Sequence, residues 1–124
     1  KGIFEDFKNA TNGIEDIKKF FYDSVDICNR KGNQKGCLVT TTYLDFFEKE
    51  DELINHQMTE FMNNLKDLFI KKLKMNSIKN EETVLREANF LLLAKNGLAS
   101  ATRVNDKKEI SDYIEMTFKN ISPL

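Results

Sequence analysis

The sequence contains few residues that interrupt helices. Its 124 residues include one proline, Pro123, and five glycines, and these two residue types are the strongest local breakers of regular structure. Apolar residues instead recur at steps of three and four along most of the chain, a spacing typical of amphipathic helices. The sequence therefore predicts an all-α fold, a bundle of about five helices. Its length predicts a single domain over residues 1–124.

The chain also lacks an excess of charge of either sign. Its 19 lysines and arginines nearly balance 20 aspartates and glutamates, which leaves a net charge of -1. A balanced surface does not attract nucleic-acid phosphates or anionic lipid, so we expect this segment alone to bind neither. Its apolar runs are too short for a membrane span, and no signal peptide pattern opens the chain. We expect a cytoplasmic protein without membrane contact.

Cysteine and histidine are scarce, with two and one respectively. Structural zinc sites usually use four such ligands, so the sequence predicts no metal, and it predicts no cofactor. A nucleophilic Cys37 would need a base in reach, and the single histidine, His56, lies among polar residues. We interpret Cys37 as a packed thiol and His56 as a surface residue, and we predict no enzyme. Oxidant sensing by Cys37 or Cys28 remains open.

Apolar spacing and capping signals place the helices. Residues 1–11 are predicted to be the end of an earlier helix. Asn12 and Glu15 form a capping-box pattern at the start of the next one, which carries an apolar stripe to about residue 32. Asp106 and Glu109 form a second such pattern. The predicted helices span residues 12–32, 37–47, 50–76, 80–103 and 107–120.

The predicted helix over residues 80–103 is apolar on two sides. One side holds Val84, Ala88, Leu91, Leu98 and Ala99, and the other holds Phe90, Leu93, Ala94, Gly97, Ala101 and Val104. A helix that is apolar on two sides is covered on two sides. Because the core of this domain can cover one side, we predict that a second copy covers the other in a homodimer. The predicted interface consists of Leu93, Ala94, Gly97, Ala101, Val104, Tyr113, Thr117 and Ile121.

Large apolar side chains are abundant, with ten phenylalanines, three tyrosines and four methionines. Two interpretations fit this composition. The side chains can fill a core, or they can line an apolar cavity between helices that admits a ligand. Composition does not distinguish the two.

Two stretches carry a resemblance to a known family. "KGCLVTTTYLDF", followed by a long apolar helix, and "EANFLLLAKNGLASATRVNDKKEISDYIEMTF" resemble the C-terminal domain of TetR-family transcriptional repressors. Gly36, Cys37, Leu38 and Val39 match the start of one helix of that family. Residues 91–94 with Gly97 and Ala101 match the helix before the last, whereas Thr41 stands where the family often has asparagine.

The resemblance implies an inducer-binding and dimerisation domain, in which a small apolar ligand releases the full-length protein from DNA. A helix-turn-helix domain is then expected before Lys1, so that residues 1–11 end the connecting helix. The predicted ligand site consists of Phe21, Val25, Cys28, Thr40, Thr41, Leu44, Phe61, Leu65, Asn89, Phe90 and Leu93. Two alternatives remain: a small helical protein-interaction adaptor with a filled core and no ligand, and a cysteine-dependent enzyme.

Overall fold

A computed structural model of the chain describes residues 3–30, 52–75, 77–102 and 104–121. These ranges contain five helices and no strand, which confirms the predicted all-α fold. The helices are α1 (Ile3–Asn9), α2 (Ile14–Arg30), α3 (Glu52–Lys74), α4 (Glu81–Ala101) and α5 (Lys107–Lys119). The helix predicted for residues 37–47, which includes Cys37, lies outside the described residues. Within the described ranges, no helix combines the length and the apolar character that a membrane span requires.

The core lies around α2, which packs against each of the other four helices. α3 and α4 are joined by a short connection and pack along each other, as neighbouring helices of a bundle do. Every helix contributes buried apolar side chains to one cluster, so the described helices share one core. Its members are Phe7, Ile17, Phe20, Phe21, Leu65, Phe69, Leu73, Val84, Ala88, Leu91, Leu98, Ile110, Ile114 and Ile121.

Aromatic rings run through this core in a continuous series. Phe7 of α1 stacks on Phe20 of α2 with ring centroids 4.5 Å apart and meets Phe69 of α3 edge-on at 5.9 Å. Phe69 lies 6.2 Å from Phe21, whose ring meets Phe118 of α5 edge-on at 5.1 Å. Such edge-on and offset contacts are the favoured geometries of aromatic pairs. Much of the phenylalanine excess is therefore used to connect α1 to α5 through the core.

The structure confirms two predicted helix starts and corrects a third. Asn80 accepts a hydrogen bond from the backbone of Thr83, and Asp106 and Glu109 form the reciprocal capping box. The expected box of Asn12 and Glu15 is wrong, because α2 begins after Gly13 and the carboxylate of Asp16 accepts the free backbone N–H groups instead. Gly13 has a φ of +71°, a conformation that glycine adopts without steric cost.

Candidate functional site

The outer side of α4 forms an apolar face together with α5. Leu93 and Val104 are 73% and 83% exposed, while Val84, Ala88, Leu91 and Leu98 on the opposite side of α4 are buried. The prediction that this helix is apolar on two sides, one of them in the core, is thus confirmed. The α4–α5 face, as we call the outer side, consists of Phe90, Leu93, Ala94, Gly97, Ala101, Val104, Tyr113 and Thr117.

A groove of about 220 Å³ runs along this face between α4 and α5. Ala94, Gly97, Leu98 and Ala101 line it from α4, and Tyr113 and Thr117 line it from α5. A Cβ atom added at Gly97 would meet no atom within 4 Å. Gly97 is therefore not required by packing within the chain. Small residues here leave room for a helix from outside, because the distance between packed helices depends on the side chains at their contact.

Hydrogen bonds hold the edge of the groove in place. The hydroxyl of Tyr113 donates to Oδ1 of Asn105 at 3.2 Å, and Nδ2 of Asn105 donates to the carbonyl of Ala101 at 3.0 Å. The hydroxyl of Thr117 donates to the carbonyl of Tyr113 at 2.8 Å. The two bonds of Asn105 connect the end of α4 to α5, and the bond of Thr117 lies within α5.

One predicted member of the interface, Ile121, is misplaced. Ile121 is buried in the core and does not belong to the α4–α5 face. After α5 ends at Lys119, the backbone N–H of Ile121 bonds back to the carbonyl of Phe118, and this turn directs the side chain inward. Met116, another exposed apolar residue of α5, lines a cleft with Lys18 of α2 and is not one of the residues that line the groove.

The structure brings only part of the predicted ligand site together. Phe21 and Leu65 belong to the core, and Phe61 is half-buried with its ring 6.2 Å from that of Phe4. Val25 lines a separate cleft of about 330 Å³ between α2 and α5. Thr40, Thr41, Leu44 and the side chain of Cys28 lie outside the described residues. The ligand site as a whole remains a prediction.

Three predicted ligand residues do not face inward. Asn89, Phe90 and Leu93 are exposed in the single chain, because the buried face of α4 follows Ala88 and Leu91. Leu93 was assigned to both the ligand site and the dimer interface, and its position fits the interface. Asn96 was not predicted, although its Oδ1 is buried and has no hydrogen-bond partner in the described part of the chain.

A polar cluster ties α2 to α5. The hydroxyl of Tyr22 donates to Glu115 and lies 3.1 Å from Ser111 Oγ, and Lys18 Nζ lies 2.9 Å from Glu115 Oε1. The hydrogen bonds from Tyr22 and Lys18 lower the pKa of Glu115. Burial, followed by the bond to Glu115, raises the pKa of Tyr22. Glu115 is therefore held as a carboxylate that anchors two helices, and it is not a proton donor near neutral pH.

The predicted surface position of His56 is confirmed, because its side chain is exposed on α3. Among the described residues, no group of three histidine, cysteine, aspartate or glutamate side chains could hold a metal ion. Comparisons of the chain with models of protein families, with curated proteins and with solved structures give no match.

Proposed function

We propose that this chain is the inducer-binding and dimerisation domain of a TetR-like transcriptional repressor, and that a small apolar ligand releases the full-length protein from DNA. The α4–α5 face is the observation that carries the proposal. Leu93 and Val104 project from it, while Gly97 and Ala101 line the groove between the two helices. A contiguous apolar face of this kind marks an interaction site. It lies on the two helices to which the resemblance assigns dimerisation.

A second copy of the chain fits this face chemically. None of its eight residues is charged, and the centres of protein interfaces are depleted of charge. In a two-fold dimer the same surface is used on both subunits, so α4 and α5 would meet their copies as a four-helix bundle. Gly97 and Ala101 would allow the two α4 helices to approach closely.

Partly covered aromatic side chains support a ligand site near α1 and α3. Phe4 and Phe61 contact each other where both side chains are only half-buried, and apolar ligand sites are lined by such groups. Under the proposal, the ligand shifts the balance between two placements of the DNA-binding domains, to which α1 connects. The closely packed rings of Phe7, Phe20 and Phe69 favour the alternative, a helical protein-interaction adaptor with a filled core and no ligand.

Thermal unfolding of the chain with a panel of uncharged apolar compounds tests the ligand part of the proposal. A compound that binds the folded state raises Tm with a saturable dependence on its concentration. We expect at least one such compound, and we expect Phe61→Ala to reduce its effect more than Leu85→Ala, a change on a partly exposed leucine of α4. A dimer that binds no compound in a broad panel would favour the adaptor, and a monomer would contradict the repressor.

A further inference from the structure

The side chain of Lys72 is fully buried although it carries an ammonium group. Its Nζ donates to the carbonyl of Ala10 at 2.6 Å and to Oδ2 of Asp16 at 2.9 Å. It also lies 5.2 Å from the centroid of the Phe7 ring, within the range of a cation–π contact. Lys72 belongs to α3, whereas these three partners belong to α1, to the turn after it and to α2. One side chain therefore joins three elements of the bundle.

Asp16 completes this cluster. Its Oδ2 also accepts the backbone N–H groups of Asn12 at 2.8 Å and of Gly13 at 3.2 Å. The ammonium thus satisfies a carbonyl at the C-terminal end of α1, and the carboxylate satisfies amides at the N-terminal end of α2. Both placements suit the helix dipoles, which are negative at the first end and positive at the second. A buried ion pair is stable only with such geometry, because both charges lose their hydration.

The cluster differs in kind from the other contacts between α1 and α3. Phe7 meets Phe69, and Phe4 meets Phe61, through rings, and aromatic pairs are favourable over a range of edge-on and offset geometries, with centroids about 4.5–7 Å apart. Hydrogen bonds between charged groups require short distances and defined angles. Apolar contacts can therefore hold α1 near α3, but the cluster of Lys72 and Asp16 constrains its direction.

We propose that Lys72 and Asp16 form a strut that makes the direction of α1 follow the C-terminal half of α3. A displacement of α3 is then passed to α1 through Lys72, and loss of the ammonium leaves α1 held to α3 by ring contacts alone. The strut is a conformational device of the fold, and it holds whether or not the proposed repressor function is correct. Lys72 is a positioning residue in this scheme.

Amide hydrogen exchange of the whole chain tests the strut. Residues 3–13 report on α1 and the following turn, and residues 107–119 of α5 report on global opening. The test variant is Lys72→Met, which keeps the length of the side chain and removes its charge. Lys79→Met is the matched control, because Lys79 is also nearly buried and pairs with Glu87, 2.6 Å away, instead of with α1 or α2.

The double variant Lys72→Met with Asp16→Asn distinguishes a loss of the orientation of α1 from a loss of global stability. Lys72→Met alone leaves a buried carboxylate without its partner, which lowers global stability. The double variant removes both charges, and the asparagine oxygen can still accept from Asn12 and Gly13. We expect its unfolding midpoint to recover towards that of the native chain, while residues 3–13 still exchange at least about tenfold faster than in the native chain, the scale of one lost charged hydrogen bond.

The outcomes are distinct. Exchange that accelerates in residues 3–13 of both Lys72 variants, beyond any change in residues 107–119, supports the strut. Native exchange rates in the double variant would overturn it, and so would an equal local acceleration in Lys79→Met. Residues 3–13 without protection in the native chain would also overturn it. If both Lys72 variants failed to fold, the pair would hold the whole bundle and the strut would be rejected.

Discussion

Lys79 and Glu87 form an ion pair with a distance of 2.6 Å between Nζ and Oε1, although they are eight residues apart. Their side chains are only 2% and 14% exposed. The pair joins the connection after α3 to the second turn of α4. Its side chains are largely buried, whereas those of the ion pair between Lys108 and Asp112 are exposed. Loss of one charge of a buried pair is destabilising, because the remaining charge is then neither paired nor hydrated.

Glu87→Gln should therefore lower the free energy of unfolding by about 2 kcal/mol, since it leaves the ammonium of Lys79 covered and without a counter-charge. Asp112→Asn, in the exposed pair, should change it by less than about 0.5 kcal/mol. Urea unfolding followed by circular dichroism measures both. Equal effects would mean that the cover around Lys79 has no energetic consequence.

The capping box of α5 should contribute to stability independently. Asp106→Ala removes the acceptor for the backbone N–H of Glu109, and loss of such a cap costs about 1 kcal/mol. Asp112→Ala is the control, because it changes the same residue type in the same helix away from the cap. The free energies of unfolding of the two variants, measured by chemical unfolding, should differ by about 1 kcal/mol. An Asp106→Ala variant as stable as the control would show that the cap does not contribute to stability.

The lowered pKa of Glu115 predicts a pH dependence of stability. Because the folded pKa lies below the ordinary value of 4.5, the contribution is present above that value and is lost as the pH falls through the folded pKa. The difference in urea midpoint between the native chain and Glu115→Gln should shrink as the pH falls from about 7 to about 2.5. Tyr22→Phe should reduce this difference, because it removes the hydrogen bond that contributes most to the lowered pKa of Glu115.

The same cluster should lose strength in alkali. Lys18 belongs to this cluster, and its hydrogen bond to Glu115 is the main reason why its pKa is raised from the ordinary value of 10.5. A raised folded pKa contributes stability below the ordinary value and loses it as the pH rises through the folded pKa. Lys18→Met should therefore cost stability near neutral pH and make no difference in strong alkali. A constant difference between the two chains across that range would contradict this assignment.

Gly97→Glu should dissociate the proposed dimer without unfolding the subunit. A side chain fits at this position in the single chain, and glutamate favours a helix more than glycine does. At a two-fold axis the substitution places two carboxylates together, which should weaken association by several kcal/mol. Light scattering across dilution should show a dimer of the 14.4 kDa native chain and a monomer of the variant at tens of micromolar, with Gly97→Ala as the control.

A native chain that is monomeric at tens of micromolar would show that the α4–α5 face does not bind a second copy. A dimer that is indifferent to Gly97→Glu would place the interface elsewhere. The helical signal in circular dichroism should be unchanged in both glycine variants, so a loss of that signal would identify unfolding as the cause of any change in mass.

The chain alone should not bind duplex DNA. Its net charge is -1, and affinity for DNA comes largely from the neutralisation of phosphates by clustered lysines and arginines. A gel-shift assay with residues 1–124 should show no shift at physiological salt. Salt-sensitive, sequence-selective binding would contradict this expectation and the proposal that a separate domain binds DNA.

Local features of the sequence predicted most of the described helices. The ends of α3, α4 and α5 lie within a few residues of those predicted, since apolar spacing, Asn80 and the pair of Asp106 and Glu109 act within one or two turns. The apolar outer side of α4 was also predictable, because its residues recur at helical spacing. Such signals need no knowledge of what the helix packs against.

Tertiary structure decided which partners each side chain meets. Helical spacing places Lys72, unlike Lys71, on the side of Phe69. It does not show what pairs with a buried ammonium there, because the partner Asp16 lies 56 residues away on another helix. Ile121 is likewise buried and Met116 exposed although both are apolar, because the chain turns after α5 and directs Ile121 into the core. By itself the sequence determined where the helices lie and which sides are apolar, through contacts along one chain segment. Only the packing of distant segments decided which apolar side is buried and which charged side chain can be buried beside a partner.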